Sequence, residues 1–256
     1  MGESMILGVS GTKQSGKSSL AEFIKAWYEV DNRPELDKSR FVVRENGKVV
    51  WIENPLFNFQ KVKVYSFADS LKDFCIDTLG LESKQCWGTD DEKNTETPYL
   101  WDNLPEEIRK KYGTEEKEEA FGFRDGIWEK VERKGRMTGR EVMQVLGTDI
   151  ARDMFDQNIW VNATLRKIRK ENYDLALIAD VRFPSEVKAV TENNGYVIRL
   201  TRTYDASDKH SSETALDDYS WKQHGNQVML LDNTGKTIYH KNEVALQFIK
   251  SVMCGA

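Results

Sequence analysis

The stretch GVSGTKQSGKSSLAEFI, residues 8–24, decides the fold. Gly11, Gly16, Lys17 and Ser18 fill the spacing G-x-x-x-x-G-K-[ST]; the apolar run Met5-Ile6-Leu7-Gly8-Val9 precedes it and the helix-like Ser19-Leu20-Ala21-Glu22-Phe23-Ile24 follows. Buried strand, glycine loop and amphipathic helix, in that order, are the context a phosphate-binding loop requires. Glycines let successive backbone N–H groups turn inward, and the helix N-terminus adds its partial positive charge, so the two together form an anion cradle. Lys17 then reaches the β- and γ-phosphates of a nucleoside triphosphate, and the Ser18 hydroxyl serves as a Mg2+ ligand.

Outward from the loop, five short apolar segments read as strands: residues 5–10, 62–67, 175–181, 196–200 and 228–231. Their continuous apolar character fits parallel strands covered on both faces. Helical patterns lie between and after them over residues 18–30, 68–79, 138–155, 158–171, 185–194 and 242–253. The alternation predicts an α/β fold of three layers, a five-stranded parallel sheet flanked by helices, of the P-loop NTPase kind. One domain over residues 1–256 is expected, with its core at about 5–37, 61–80 and 138–253 and insertions at about 38–60 and 81–137. The first insertion reads as a β-hairpin, residues 41–43 and 49–52, because Asn46-Gly47 supplies the turn geometry. The second mixes Trp87, Trp101 and Trp128 with dense charge, including EEIRKKYGTEEKEEAFGFRDG at 106–126, and reads either as a solvated face or as a flap over a substrate.

Composition narrows the class. The 256 residues, 39% of them hydrophobic, suffice for a sizeable core. A net charge of -5 with 31% charged residues gives no basic patch of the kind that follows a polynucleotide backbone, so polynucleotide binding is disfavoured. Cys75, Cys86 and Cys254 have no metal-ligand spacing and fit free packing thiols in a reducing compartment. The N-terminus lacks a basic region followed by a long apolar one, and no run approaches about eighteen apolar residues, so a soluble, cytoplasmic protein with no membrane partner is expected.

Three further stretches carry candidate chemistry. In TGREVMQVLGTDIARDMFDQNIWVN, residues 138–162, Arg140, Gln144 and Thr148 recur at four-residue spacing near one helix face, with Gly147 and Trp160 close by. An arginine with hydrogen-bonding neighbours suits a phosphate and a base edge; an exposed polar face fits the same spacing. In LALIADVRFPSE, residues 175–186, an apolar strand ends in Asp180, with Arg182 and Glu186 beyond it. Ligands of parallel sheets sit outside the strands' carboxyl ends, so Asp180 suits Mg2+ through water or a substrate hydroxyl and Arg182 a phosphate, the alternative being a surface salt bridge. In RLTRTYDASDKHSSETALDD, residues 199–218, two arginines leave a strand for a polar segment with Lys209 and His210 that reads as a closing lid, about 202–216. LLDNTGK, residues 230–236, is either a turn or, through its backbone near Asn233, an edge for the adenine of ATP.

Taken in order, GTKQSGKS, SFADSLKD, REVMQVLGTD with IW, DVRFPSE, VIRLTR, HSSE and DNTG span nearly the whole chain, and in that combination the sequence resembles the deoxynucleoside monophosphate kinases of tailed bacteriophages. The resemblance implies an adenylate-kinase-like fold, transfer of the γ-phosphoryl group of ATP to a deoxynucleoside 5′-monophosphate, a homodimer, and a setting in phage DNA precursor synthesis in the host cytoplasm. It assigns Gly11, Lys13, Ser15, Gly16, Lys17, Ser18, Ser19 and Asn233 to ATP, and Ser18 with Asp180, through water, to Mg2+. It assigns Lys72, Lys93, Arg140, Gln144, Gly147, Thr148, Trp160, Asp180, Arg182 and Glu186 to the monophosphate, and makes Lys17, Arg182 and the lid residue Arg202 catalytic. Some relatives carry an arginine where this chain has Gln14, and another where it has Lys93. Two other readings fit the loop: a kinase of another small acceptor, of the dephospho-coenzyme A or phosphomevalonate type, and an ATPase that drives a partner. The guanine-specifying pattern Asn-Lys-x-Asp is absent from the sequence.

Overall fold

The computed structural model describes residues 4–12, 15–30, 41–45, 48–52, 62–118, 127–202 and 215–254. They form two compact units, one of Met1–Phe67 with Val161–Ala256, the other of Ala68–Trp160.

The first unit is built on a sheet of five strands: β1 (Met5–Gly11), β4 (Val62–Tyr65), β9 (Leu175–Val181), β10 (Tyr196–Thr201) and β11 (Val228–Asp232). Their order across the sheet is β11-β10-β1-β9-β4, every neighbouring pair parallel. Because side chains alternate across a strand, each apolar run supplies both faces at once. Leu7, Val9, Leu175, Leu177, Ile198, Leu200 and Leu231 face one core, shared with Leu20, Phe23, Ile24 and Trp27 of α1 (Lys17–Val30) and Ala245, Leu246 and Ile249 of the C-terminal helix α9 (Ile238–Cys254). Ile6, Ala176, Ile178 and Val197 face the other, shared with Val161, Leu165 and Ile168 of α7 (Ile159–Glu171) and Val187 and Val190 of α8 (Pro184–Glu192). The three predicted layers are thus present. Just past α7 and α8 the chain turns through an asparagine in the left-handed region, Asn172 (φ 48°) and Asn194 (φ 55°), a conformation asparagine tolerates better than most residues.

The sheet carries one irregularity, at the end of β9. Gly8 pairs with Ile178, but Ser10 pairs with Val181, so β9 has one residue more than β1 over this step. Ala176 and Ile178 face the α7–α8 core and Val181 faces it too, a change of parity that makes Asp180 the residue of a β-bulge. The predicted hairpin is found as β2 (Phe41–Glu45) antiparallel to β3 (Lys48–Ile52), with Glu45 opposite Lys48.

The second unit has its own core, which the weak periodicity of its sequence does not announce. Cys75, Leu81, Cys86, Trp101, Ile108, Met137, Val142 and Val145 are all buried in it, drawn from short elements. These are α2 (Asp69–Asp77), α3 (Ser83–Trp87), α4 (Asp90–Lys93), β5 (Glu96–Leu100), α5 (Glu106–Lys111), β6 (Thr114–Glu118), β7 (Ile127–Val131), β8 (Arg136–Thr138) and α6 (Gly139–Gln144). Strands pair two by two, β5 with β8 and β6 with β7, both antiparallel. Polar side chains close the gaps: Gln85 donates to the Glu96 carbonyl at 3.0 Å, Thr97 to that of Met137 at 2.8 Å and Tyr99 to that of Leu79 at 2.7 Å. In the charged run Ile108 is buried while Glu106, Glu107 and Lys110 are exposed, so α5 is a solvated face over one apolar anchor. Residues 119–126 of that run lie outside the described residues.

The helix predicted over residues 138–155 begins as α6 and continues as a π-helix over Val145–Phe155. Two contacts coincide with the change of winding: a Cβ on Gly147 would stand 2.5 Å from Leu71 Cδ2, and the Gly147 carbonyl accepts the Trp160 indole N–H at 2.9 Å. The Asp156 N–H still reaches the Ala151 carbonyl, at 2.9 Å, as i→i+5 winding requires.

Candidate active site

In the first unit the phosphate loop follows from its glycines. A Cβ on Gly11 would stand 2.3 Å from Ser15 Oγ and 2.9 Å from the Leu200 carbonyl oxygen, so only glycine lets the chain turn there; Gly16 has φ +93°, a region other residues avoid. Lys17 Nζ donates to the carbonyls of Gly11 and Thr12 at 2.6 and 2.7 Å, folding the side chain back over the loop it serves. Asn233, just past β11, donates from Nδ2 to the Ser15 carbonyl at 2.7 Å, which ties the DNTG turn to the loop. Ser18 is exposed at the start of α1, whose N-terminus carries partial positive charge. Ser19 is differently employed: its hydroxyl donates to the Gly16 carbonyl at 3.0 Å and accepts from Lys241 Nζ at 2.8 Å. Among the described residues Thr12 Oγ1, Ser15 Oγ and Asn233 Oδ1 are buried without a hydrogen-bond partner. Buried polar atoms left unpaired are uncommon; the Thr12 and Ser15 hydroxyls can both donate to an anion in a glycine cradle, whereas the Asn233 oxygen can only accept. Lys13 and Gln14 lie outside the described residues.

Beside the loop, the β9 bulge turns Asp180 so that it accepts the Ser66 hydroxyl at 2.7 Å and the Phe67 N–H at 3.3 Å, both just past β4. Among the described residues no three His, Cys, Asp or Glu side chains gather as a metal cluster. Ser18 and Asp180 nevertheless fit Mg2+, which keeps several waters and takes one or two protein oxygens. Glu186 is 4% exposed and accepts the N–H groups of Arg182 (2.7 Å) and Phe183 (3.1 Å), capping α8 with its side chain turned toward the backbone. Arg182 is half-buried and Arg202 is exposed at the end of β10.

The two arginines read as leaving a strand part company. Arg199 stays in β10, 6% exposed, donating to Ser10 Oγ at 3.1 Å, with Asp217 at 3.6 Å and the Trp221 ring beneath it at 5.7 Å. It faces the sheet interior because it shares the face of Val197, and it is not a lid residue. The segment 203–214, which holds most of the expected lid with Lys209 and His210, lies outside the described residues.

The second unit gathers cations. Lys72 Nζ stands 3.9 Å over the centroid of the half-exposed Trp87 ring, a cation–π contact. Lys72 and Lys93 both bear on Cys86: burial raises its thiol pKa, and the two ammonium charges oppose that rise. Gly139 abuts the Gln85 backbone and the Lys93 carbonyl, so Arg140, the next residue, enters the same neighbourhood. Arg140 pairs through Nη2 with the exposed Asp90 at 2.5 Å, while its buried Nε has no partner among the described residues. On that helix face Arg140 makes an ion pair at the surface, Gln144 is half-buried and Thr148 is exposed. Trp160 is fixed by its bond to Gly147. Asp149, the last residue of the GTD triplet, belongs to no expected site, yet it is 4% exposed and accepts from Lys111 Nζ and from the Tyr112 hydroxyl (2.8 Å), holding α5 to the π-helix. Its one sequence signal is an acid set among apolar positions. Burial, then the bond to Asp149, pushes the Tyr112 phenol well up from its ordinary value.

Parallel sheet order, central glycine loop and a carboxylate at the neighbouring strand end define a protein of the P-loop kinase fold class. The family described as deoxynucleotide monophosphate kinase matches residues 99–241, more than half of the chain, and the chain belongs to that family of phosphotransferases. It is 26% identical over 199 residues, 75% of this chain and 73% of the relative, to a deoxynucleoside-5'-monophosphate kinase of Escherichia phage T5. It is 25% identical over 224 residues, 83% of this chain and 82% of the relative, to a putative deoxynucleotide monophosphate kinase of Acanthamoeba polyphaga mimivirus. No described helix is long and apolar enough to cross a membrane.

Proposed function

We propose that this chain transfers the γ-phosphoryl group of ATP to a deoxynucleoside 5′-monophosphate, giving ADP and the diphosphate. The observation that carries the reading is the glycine cradle of Gly11 and Gly16, with Lys17 folded on it and the buried Thr12 and Ser15 hydroxyls without a partner among the described residues. Family membership supports the choice of acceptor over a coenzyme A precursor or a mevalonate phosphate. Phosphoryl transfer needs two nucleotides in line and the charge of the moving group neutralised, and asks for no covalent help. An oxygen of the acceptor phosphate attacks the γ-phosphorus while the bond to the β-phosphate oxygen breaks and ADP leaves. Lys17 exchanges its loop carbonyls for phosphate oxygens, and Arg182, Arg202 and the lid cations neutralise the group in transit. Ser18 and, through water, Asp180 would hold Mg2+, which would supply charge neutralisation at the phosphates. Lys13 adds to the donor site, and Lys72, Lys93, Arg140, Gln144, Thr148, Trp160 and Glu186 serve or brace the acceptor. Both compact units belong, on this reading, to one kinase domain. The phage T5 relative and the motif resemblance support a place in viral DNA precursor supply, as a homodimer in host cytoplasm.

The test is coupled ADP release with ATP, Mg2+ and each of dAMP, dCMP, dGMP and dTMP, their ribose counterparts, and no acceptor. Turnover confined to deoxynucleotides is expected. Hydrolysis without acceptor, or silence with every one of them, rejects the reading and moves the assay to dephospho-coenzyme A, phosphomevalonate and ATPase conditions.

A further inference from the structure

Lys241 touches the phosphate loop, yet no sequence motif accounts for it. It sits in the first turn of α9, 225 residues from Gly16 in sequence, and is 3% exposed. Two preferences are set aside by this placement: a lysine is rarely buried, and a cation at the positive end of a helix is repelled by the macrodipole. Its ammonium group donates to Ser19 Oγ at 2.8 Å and to the Gly16 carbonyl at 3.3 Å. That carbonyl also accepts the Leu20 N–H at 3.0 Å and the Ser19 hydroxyl at 3.0 Å, so three donors hold one oxygen. In a trans peptide the C=O and the following N–H point in opposite directions. Fixing the Gly16 oxygen toward α9 therefore aims the Lys17 N–H away from it, into the cradle. Helix α9 can hold this position because Ala245, Leu246 and Ile249 lock it into the core it shares with α1.

We propose that Lys241 is a positioning residue for the donor nucleotide, setting the Gly16–Lys17 peptide plane and adding a fixed positive charge behind the phosphate loop. This rests on the reading that the loop holds the ATP phosphates. Isothermal titration of the full chain with ATP, ADP, AMP and adenosine, without acceptor, tests it in Lys241→Met, Lys241→Arg and, as a control on the loop, Lys17→Ala. The expected result for Lys241→Met is a loss of about tenfold or more in affinity for ATP and ADP, little change for adenosine and, in the coupled ADP-release assay, an unmoved KM for the monophosphate. Lys241→Arg, which keeps charge and donors, should recover most of the loss. Parent-like ATP affinity in a Lys241→Met protein that melts like the parent overturns the proposal, and so does an equal loss for adenosine and monophosphate, the mark of a merely loosened fold. If Lys241→Met does not fold, Lys241→Gln, which keeps a donor and removes the charge, decides by the same comparison. Should Lys17→Ala lose ATP and Lys241→Met not, only the Lys241 assignment falls; should both bind ATP like the parent, the loop is not the triphosphate site and both readings fall.

Discussion

The two units hold their chemistry by different means. In the first, the cradle is made by backbone: Gly11 and Gly16 set it, a parallel sheet buried on both faces carries it, and one bulge delivers Asp180 beside it. In the second, short elements close around Trp101, side-chain-to-backbone bonds from Gln85, Thr97 and Tyr99 stand in for a continuous sheet, and the candidate groups Lys72, Lys93 and Arg140 are long cations. A backbone site resists substitution everywhere except at its glycines and its lysine. Long side chains in exposed pairs, such as Arg140 with Asp90, can be exchanged one residue at a time.

The harshest test of the contrast is Trp101→Ala. Trp101 is fully buried at the centre of the second unit, its ring 5.2 Å from that of Tyr112, and a loss of about 3–5 kcal/mol is expected. Hydrogen exchange should show the loss in amides of residues 68–160 while β1, β9 and β10 stay protected; uniform loss would mean that the two units unfold as one. Lys17→Ala comes next, with turnover down by about 10²–10³-fold and the melting temperature unchanged; near-parental turnover would take the loop out of the chemistry. The Lys63–Glu171–Tyr65 group refines the picture of the first unit. Burial favours a neutral Glu171, yet bonds from Lys63 (2.6 Å) and Tyr65 (2.8 Å) hold its pKa below the ordinary value. A carboxylate that titrates lower when folded stabilises fully above its unfolded value and loses that contribution as pH falls through the folded one. Glu171→Gln should therefore cost about 1 kcal/mol near neutral pH, with the gap to the parent closing as pH falls below the ordinary glutamate range; a gap that does not depend on pH would deny the carboxylate this role. The smallest effect is expected at Asp90→Ala: an exposed pair is worth about 0–1 kcal/mol, so monophosphate KM should shift no more than about fivefold. A larger shift would make Asp90 part of the site.

All five core strands are legible in the sequence because each is a continuous apolar run with a turn signal after it, and the loop is legible because its glycines obey a spacing. Sheet order is not, since nothing local in the Met5–Gly11 or Leu175–Val181 segments states which strand will lie beside which. The second unit does not show as a folded core because Cys75, Cys86, Trp101, Ile108 and Met137 come from five separate pieces, of which only residues 68–79 are long enough to display a period. Two signals there are readable: TDDE at 89–92 and TGRE at 138–141 are capping boxes, and both form, Thr89 with Glu92 and Thr138 with Glu141. Arg199 misleads because an arginine one residue from the end of a strand reads as bound for solvent, while the fold buries it against Ser10. Lys241 gives no signal at all: a single lysine in an amphipathic helix is ordinarily a solvated one.

The extra residue at Asp180 serves the acid and not the sheet. Alternation along β9 works like a two-beat count, and the bulge slips in one beat more between Ile178 and Val181. Without it the count would run straight from Ile178 to Val181, with the valine still on the same face and opposite Ser10. Deleting Asp180 would thus leave the strand beyond in phase, and what would vanish is the anchor for Ser66 and Phe67. The sheet would tolerate a shorter corner; the site beside it would not.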